Sequence, residues 1–226
     1  TARSDMTALS GAQTVLPVYD DKALQRELTS CPDWFFARAL SMHLGPSDEA
    51  VFERFSQCLL SVAAEQPSRF VHRDYHSRNL MVLDEGDIAI IDFQDAIVGP
   101  ITYDAVSLLK DVYIVWPREQ QMSWLAQYWR LLVSADNLPD DSWAAFVRWY
   151  DLMGLQRHVK ILGVFSRLWL RDQKPAYMRD IPVVIDYIRE ACGLYSKDYS
   201  AIADFWKWFE DRVLPQVQQA DWYGTS

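Results

Sequence analysis

The 226-residue sequence has little glycine and little lysine, and neither residue is placed for phosphate binding. No two of its eight glycines stand close enough together to form a G-x-G pair, which closes backbone N–H groups around a phosphate. None of its six lysines lies in an apolar, strand-like segment within the first 70 residues. The sequence therefore contains neither a glycine-rich phosphate loop nor the strand lysine that accompanies one.

The chain also lacks a cysteine pattern, a long apolar run and an excess of positive charge. Its three cysteines, Cys31, Cys58 and Cys192, are odd in number and widely spaced, so they predict free thiols in a reducing cytoplasm. No apolar run approaches the length of about 20 residues that a membrane helix needs, and we expect no membrane partner. A net charge of −9 argues against a nucleic-acid partner.

Apolar and aromatic residues are abundant. Half of the residues are apolar, and they include 10 Trp, 11 Tyr and 10 Phe, which indicates a packed globular protein. Their spacing predicts a mainly α-helical fold with one small β-hairpin. The expected helices cover residues 2–13, 22–28, a segment from 31, 48–65, 103–115, 118–135, 141–172 (one helix, or two with a break near Gly154), 175–191 and 200–219.

The hairpin carries the most specific pattern. Residues 72–79 read H-R-D-x-x-x-x-N, and residues 80–83 and 88–91 are apolar, with an acidic turn at 84–87 between them. Asp92 and Phe93 follow the second strand. Because the strands of a hairpin return the chain to its starting point, we expect Asp92 to lie beside Asn79.

These residue types suit phosphoryl transfer, which needs a positioned hydroxyl and neutralised phosphate charge. Asp74 can accept or orient the proton of a substrate hydroxyl. Asn79 and Asp92 offer the amide and carboxylate oxygens that Mg²⁺ prefers. The sequence therefore predicts Asp74 as catalytic base and the other two as metal ligands.

The motif resembles the phosphotransfer site of protein kinases. From about residue 15 to 190 the chain resembles the aminoglycoside phosphotransferase-like kinases, a family that includes choline kinases. It is most similar to the bacterial cell-wall amino-sugar kinases, which phosphorylate the anomeric hydroxyl of N-acetylmuramate and N-acetylglucosamine during cell-wall recycling. The segments that carry the resemblance are residues 70–81, 91–96, 99–104 and 154–160.

The resemblance implies ATP as phosphate donor, Mg²⁺ as cofactor and a small-molecule sugar as acceptor. It implies a protein-kinase-like C-terminal lobe over residues 20–226, with a hinge-helix remnant and linker over 1–19 and no N-terminal β lobe. We expect such a lobe alone to be weakly active or inactive, since the ATP cleft is incomplete, and to self-associate through the surface that the missing lobe would cover. Gln94 replaces the glycine of D-F-G, which favours a small-molecule substrate over a protein.

The residues around the motif have predicted supporting roles. His72 is expected to hold the catalytic loop by hydrogen bonding, and Arg73 to stabilise it by an ion pair. Arg78 either contacts phosphate or anchors an acidic neighbour. By resemblance, Asp104 is a structural acid that anchors this region.

Three further residues are candidates for acceptor binding. His76 either lines the acceptor pocket or makes a structural contact. Gln94 and Asp95 follow Asp92 directly and are expected near the acceptor, although Asp95 could equally cap a loop or helix.

Arg157 and Lys160 share one helical face by their spacing. The pair either receives the lactyl carboxylate of N-acetylmuramate or forms a solvated face. An anionic acceptor would distinguish this chain from relatives that act on aminoglycosides or choline, whose cations call for acidic or aromatic surroundings. A retained lobe that only binds, without catalysis, is the alternative from a different functional class.

Overall fold

A computed structural model describes residues 5–7 and 13–223 of the chain. Most described residues are helical. The α-helices are α1 (Asp21–Ser30), α2 (Pro46–Ala64), α3 (Tyr103–Leu109), α4 (Arg118–Ser134), α5 (Trp143–Leu170), α6 (Ile181–Tyr195), α7 (Ser200–Trp208) and α8 (Leu214–Gln219), with π-helical turns at Cys31–Ala39 and Phe209–Val213 and short 3₁₀ segments at Ser77–Asn79, Asp84–Gly86 and Pro175–Asp180.

Within residues 5–7 and 13–223, six short strands form three antiparallel pairs. They are β1 (Asp5–Thr7) with β2 (Gln13–Val15), β3 (Ser68–Val71) with β6 (Ile97–Pro100), and β4 (Leu80–Val82) with β5 (Ile88–Ile90). The mainly helical composition and the β4–β5 hairpin confirm the predicted fold class at this level. The β3–β6 pair has no counterpart among the sequence predictions.

The chain divides into two compact units. The first comprises residues 1–20 and 63–153, and the second comprises residues 21–62 and 154–226. The first unit holds all three strand pairs. Among the described residues no helix is both long enough and apolar enough to cross a membrane.

The core of the first unit lies around β6 and the helices that follow it. Val98 on β6 is buried, and its N–H donates to the carbonyl of Pro17 (2.9 Å) while its carbonyl accepts the N–H of Tyr19 (2.8 Å). The Tyr19 ring meets the fully buried Tyr103 ring edge-to-face at 5.4 Å. Residues 17–19, which the sequence predicted as part of a linker, therefore pair with β6. The Tyr19 ring also packs against the first residue of α3.

The second unit has an aromatic core. Phe55 of α2 stacks on Phe205 of α7 with ring centroids 3.7 Å apart, and Phe36 meets Trp208 edge-to-face at 5.2 Å. All four side chains are at most 8% exposed. The aromatic stripe at residues 205–209 therefore serves packing, as the sequence predicted.

Two predicted helices are wrong in part. The helix over 2–13 is contradicted where the structure describes that stretch, because Asp5–Thr7 pairs with Gln13–Val15 as a strand; β-branched Thr14 and Val15 favour that conformation. The predicted hinge-helix remnant otherwise falls on residues 1–4 and 8–12, which lie outside the described residues. The helix over 103–115 ends at Leu109, because the N–H of Tyr113 bonds the carboxylate of Asp111 (3.1 Å) instead of a carbonyl one turn back.

Most of the remaining helices lie close to their predicted ranges, but the helix predicted over 175–191 starts as a 3₁₀ segment (Pro175–Asp180) and continues as α6 to Tyr195. Helix α5 runs without interruption through Gly154, which decides between the two alternatives in favour of one helix. The last predicted helix is divided into α7, a π-helical turn and α8. The three cysteines are free thiols, as predicted, and burial raises the pKa of each.

Candidate functional site

The carboxylate of Asp104, near the start of α3, binds the backbone of the loop over residues 72–79, which is the predicted catalytic loop. Its Oδ2 accepts the backbone N–H of His72 at 2.7 Å, and its Oδ1 accepts that of Arg73 at 3.0 Å. Two hydrogen bonds from one charged acceptor fix the backbone immediately before Asp74. Arg73 has φ +78°, a left-handed conformation that costs a non-glycine residue about 1–2 kcal/mol and that these bonds help to hold.

The other end of the loop is tied to Asp74 itself. The side-chain amide of Asn79 donates through Nδ2 to the carbonyl oxygen of Asp74 at 2.9 Å. Because the Nδ2 atom of Asn79 donates this hydrogen bond, its Oδ1 atom is left as the oxygen that can coordinate a cation. The loop therefore presents an oxygen donor at residue 79 close to the backbone of residue 74.

The hairpin brings Asp92 back to this point, as predicted. Leu80 and Ile90 are register partners in the β4–β5 pair, and the N–H of Ile91 donates to the carbonyl of Asn79 at 3.2 Å. Asp92 is the next residue, is exposed, and has φ +69°. Its Oδ1 accepts the side-chain amide of Gln94 at 2.5 Å.

The oxygen donors of Asn79 and Asp92 are of the kind that a hard divalent cation such as Mg²⁺ takes. Asn79 and Asp92 supply one amide oxygen and one carboxylate from adjacent backbone positions. No group of three or more His, Cys, Asp or Glu side chains in the described part of the chain is arranged to hold a metal ion. An ion at this hairpin would thus draw its other ligands from phosphate and water oxygens, as Mg²⁺ commonly does.

A second carboxylate, which sequence reasoning missed, organises the middle of the loop. Asp111 is 5% exposed, and its Oδ2 accepts the hydroxyl (2.7 Å) and the N–H (3.3 Å) of Ser77. Its Oδ1 accepts the N–H of Tyr113. The Tyr113 ring then lies under the guanidinium of Arg78, 3.4 Å from Cζ to the ring centroid. The sequence placed Asp111 inside a predicted helix and gave no signal of this role; its burial, which only hydrogen bonds can compensate, is visible in the fold alone.

The structure places the predicted supporting residues as follows. The hydrogen bond that holds the loop at His72 comes from its backbone, while neither ring nitrogen of this buried histidine has a partner among the described residues. Arg78 stacks on Tyr113, a contact outside both predicted alternatives. His76 meets the same ring edge-to-face at 6.1 Å. The roles of His72, Arg73 and Arg78 in catalysis stay predictions.

The predicted acceptor residues fall in two places. Gln94 and Asp95 form an exposed turn closed by the N–H of Ala96 bonding the carbonyl of Phe93 at 3.0 Å. Gln94 donates to Asp92, so this turn lies beside one proposed metal ligand, and its role in acceptor binding stays a prediction.

Arg157 and Lys160 belong to the second unit. There the ammonium of Lys160 pairs with the buried carboxylate of Glu27 at 2.7 Å, and both basic residues are half-buried, so they do not form a solvated face. Their role in acceptor binding stays a prediction.

Comparison with known proteins agrees with the geometry. The family model described as "Phosphotransferase enzyme family" (APH) matches residues 17–145, which is more than half of the chain and includes the whole catalytic loop and the β4–β5 hairpin. The chain belongs to the APH phosphotransferase family. It is accordingly an enzyme-family member with kinases among its relatives.

Several relatives of this APH chain carry the same name. The N-acetylmuramate/N-acetylglucosamine kinase of Pseudomonas putida is 42% identical over 178 residues, which cover 79% of this chain and 52% of the relative. The protein of that name from Pseudomonas aeruginosa is 44% identical over 78% of this chain and 52% of its own length. That from Caulobacter vibrioides is 29% identical over 91% of this chain and 54% of its own length. The chain spans about half the length of the curated relatives it matches.

Proposed function

We propose that this chain is the catalytic lobe of an ATP-dependent small-molecule kinase that phosphorylates an amino sugar at its anomeric hydroxyl. N-acetylmuramate and N-acetylglucosamine are the proposed acceptors, because relatives at 42% and 44% identity bear those substrates in their names. One structural observation carries the proposal. Asp74, Asn79 and Ile91 are joined by two hydrogen bonds, so the proposed base and both proposed metal ligands belong to one rigid corner.

Each of these residues has a definite part in the proposed reaction. The carboxylate of Asp74 takes the proton of the anomeric hydroxyl while the oxygen of that hydroxyl forms a bond to the γ-phosphorus of ATP. The bond from that phosphorus to the bridging oxygen breaks, and ADP leaves with the electron pair. Asn79 and Asp92 would hold the Mg²⁺, which when bound neutralises phosphate charge.

The proposed acceptor contacts are His76, Gln94 and Asp95 near the hairpin, with Arg157 and Lys160 for an acceptor carboxylate. Asp104 and Asp111 act on the backbone and not on substrate. They set the positions of the residues on either side of Asp74, where a displacement of about 1 Å could cost about 10²-fold in rate.

The experiment that tests the substrate is a transfer assay with the whole protein that carries this chain. Phosphate transfer from ATP is followed for N-acetylmuramate, N-acetylglucosamine, choline and kanamycin. We expect the first two to react. N-acetylmuramate, which carries a carboxylate, should react at least as fast as N-acetylglucosamine, which carries none. Transfer only to choline and kanamycin would overturn the proposed acceptor class.

Variants test the assigned roles. Asp74→Asn should lower kcat by about 10²–10⁴-fold, and Asp92→Asn should raise the Mg²⁺ concentration needed for half-maximal rate. Asp87→Asn, at an exposed position on the same hairpin, is the matched control and should leave both unchanged. A fully active Asp74→Asn protein would exclude this residue as the base.

The 226-residue chain alone is proposed to be weakly active or inactive. Calorimetric titration with Mg²⁺–ATP tests whether it retains a nucleotide site. Micromolar binding would mean that the chain retains a nucleotide site. In a separate transfer assay, activity equal to that of the whole protein would contradict the proposal that the chain alone is weakly active or inactive. A whole protein that binds acceptor without transferring phosphate would instead be a binding module.

A further inference from the structure

One arginine of the catalytic loop is both exposed and supported by an aromatic ring. The guanidinium of Arg78 lies over the ring of Tyr113, with its Cζ atom 3.4 Å from the ring centroid. A contact of this kind holds a guanidinium by its face. Its N–H donors point outward in the guanidinium plane, so they are left for a ligand that approaches from the edge.

The segment that carries the supporting ring is itself fixed. The backbone N–H of Tyr113 donates to Oδ1 of Asp111 at 3.1 Å, and Oδ2 of the same carboxylate accepts the hydroxyl of Ser77 at 2.7 Å. Ser77 directly precedes Arg78, so one buried carboxylate ties down both the loop that carries the guanidinium and the segment that supports it. This preorganisation lowers the cost of ordering Arg78 when an anion binds.

Arg78 also differs from the lysine that was predicted to bind an acceptor carboxylate. The ammonium of Lys160 is paired with the buried carboxylate of Glu27 at 2.7 Å, so an incoming carboxylate would compete with an existing ion pair. Among residues 5–7 and 13–223, no carboxylate forms an ion pair with Arg78. In a chain of net charge −9, this arginine is a cation of the catalytic loop that an anionic ligand can reach without displacing an acidic side chain.

The surroundings of Arg78 favour the acceptor over ATP as the source of that anion. Asn79, the next residue, donates to the carbonyl of Asp74 and accepts the N–H of Ile91 through its own carbonyl, so it belongs to the corner formed by the hairpin. Arg78 instead contacts Tyr113, which follows α3. The proposed metal ligands, which would hold the phosphates, therefore contact a different element from Arg78.

We infer that Arg78, supported by Tyr113, binds the carboxylate of an anionic acceptor sugar and so favours N-acetylmuramate over N-acetylglucosamine. This role rests on the proposed function, since it requires a sugar whose anomeric hydroxyl faces Asp74. The carboxylate of N-acetylmuramate is attached two ring carbons from the anomeric carbon, so the group that binds it has to lie near the base. Arg78 follows Asp74 by four residues. Its planar guanidinium can donate to both carboxylate oxygens at once.

The first test measures acceptor selectivity in the whole protein. Values of kcat/KM are determined for N-acetylmuramate, its methyl ester and N-acetylglucosamine. In Arg78→Gln, the ratio of the value for the acid to that for the ester should fall about 10- to 100-fold, because only the acid loses a charged hydrogen-bonded pair. Arg130→Gln, at an exposed arginine of α4 in the same unit, is the control and should leave the ratio unchanged. Equal losses for all three acceptors in Arg78→Gln would overturn the inferred contact, since the arginine would then act on the loop or on ATP.

Two further variants test the geometry of the contact. Arg78→Lys keeps the charge but loses the planar pair of donors, so it should restore part of the ratio that Arg78→Gln loses. Tyr113→Leu keeps apolar bulk but removes the ring face, so it should raise KM for the acid about two- to fivefold more than KM for the ester. A Tyr113→Leu protein that loses kcat equally with every acceptor would show that the ring supports the loop alone.

The rival site and the underlying function give different outcomes. If Lys160 binds the carboxylate, Lys160→Gln removes the selectivity and Arg78→Gln does not, which would overturn the role of Arg78. If the whole protein phosphorylates neither sugar, the acceptor class is wrong and this role falls with it. If it phosphorylates both sugars and Arg78→Gln leaves the ratio unchanged, the acceptor class stands and only the role of Arg78 is refuted.

Discussion

The carboxylate of Asp111 receives both the hydroxyl and the backbone N–H of Ser77, two residues before the proposed metal ligand Asn79. These bonds join the segment after α3 to the middle of the loop that carries Asp74. Asp111 also accepts the N–H of Tyr113, on whose ring Arg78 stacks. We therefore expect Asp111 to act as a positioning residue.

Asp111→Asn tests this role in the whole protein. An amide accepts only through one oxygen, so its N–H₂ group faces either the two donors of Ser77 or the N–H of Tyr113, and at least one of the three bonds is lost. We expect kcat to fall about tenfold and the Mg²⁺ requirement to rise, with little change in KM for the sugar. Ser77→Ala should act in the same direction, and its effect should not add to that of Asp111→Ala, because the alanine at position 111 removes both carboxylate oxygens and so breaks the same hydroxyl contact. Full additivity would refute the shared contact.

The Asp104 carboxylate gives a prediction for stability. Asp104→Asn places an N–H₂ group against one of two backbone donors and should lower the free energy of unfolding by about 2–4 kcal/mol. Urea denaturation of the 226-residue chain measures this change. Asp140→Asn, in an exposed turn, is the control and should have no measurable effect.

A buried ion-pair cluster should make stability depend on acid pH. Asp151 is fully buried and bonds Lys110 at 3.0 Å and Arg118 at 2.7 Å. Burial acts to raise the pKa of Asp151, but the hydrogen bond from Arg118 and the charges of Lys110 and Arg118 outweigh it and hold the pKa below its usual value.

A depressed folded-state pKa stabilises the protein above the unfolded-state pKa of about 3.9, and that contribution is lost as pH falls through the lower folded value. We therefore expect the unfolding free energy to decline below about pH 4. Asp151→Ala should cost about 3–5 kcal/mol at pH 7, because the buried ammonium of Lys110 loses the carboxylate that compensates its charge. Asp211→Ala removes an exposed pair with Lys207 and should leave the melting temperature unchanged.

Two helical glycines should respond oppositely to alanine. A Cβ on Gly163 of α5 would lie 2.2 Å from the backbone carbonyl of Ser30, so Gly163→Ala forces the helix and its neighbour apart. A Cβ on Gly193 of α6 would meet no atom within 4 Å. Thermal denaturation should show a large loss of stability for Gly163→Ala and a gain of about 0.5–1 kcal/mol for Gly193→Ala. A tolerated Gly163→Ala would mean that the helices do not approach as closely as described.

The sequence predicted the hairpin and its corner well because the information there is local. Two apolar runs, the acidic turn between them and the spacing from Asp74 to Asn79 all lie within 20 residues, and the register of Leu80 with Ile90 follows from them. The pairing of β3 with β6 could not be predicted in the same way, because it joins four-residue segments that are about 30 positions apart.

The contacts made by single polar side chains were the hardest to foresee. In the sequence Asp111 has no feature that distinguishes it from other polar residues of a helix. Only the fold shows that it accepts hydrogen bonds from Ser77 and lies beyond the end of α3. Lys160 was expected either to form a basic cluster with Arg157 for an acceptor carboxylate or to lie on a solvated face, yet its ammonium pairs with Glu27, more than 130 positions away in sequence. Such pairings depend on which elements pack together in the fold, and the hydrophobic periodicity of the sequence does not predict that.

The left-handed backbone at Arg73 and Asp92 decides how variants at these two positions should be interpreted. A β-branched residue such as valine is disfavoured there by its own Cβ, whatever the original side chain contributed. Glycine and asparagine tolerate the conformation, so Arg73→Gly and Asp92→Asn remove a functional group without bending the chain. Comparing each with its valine counterpart would separate the chemistry of a side chain from the conformational preference of the peptide that carries it.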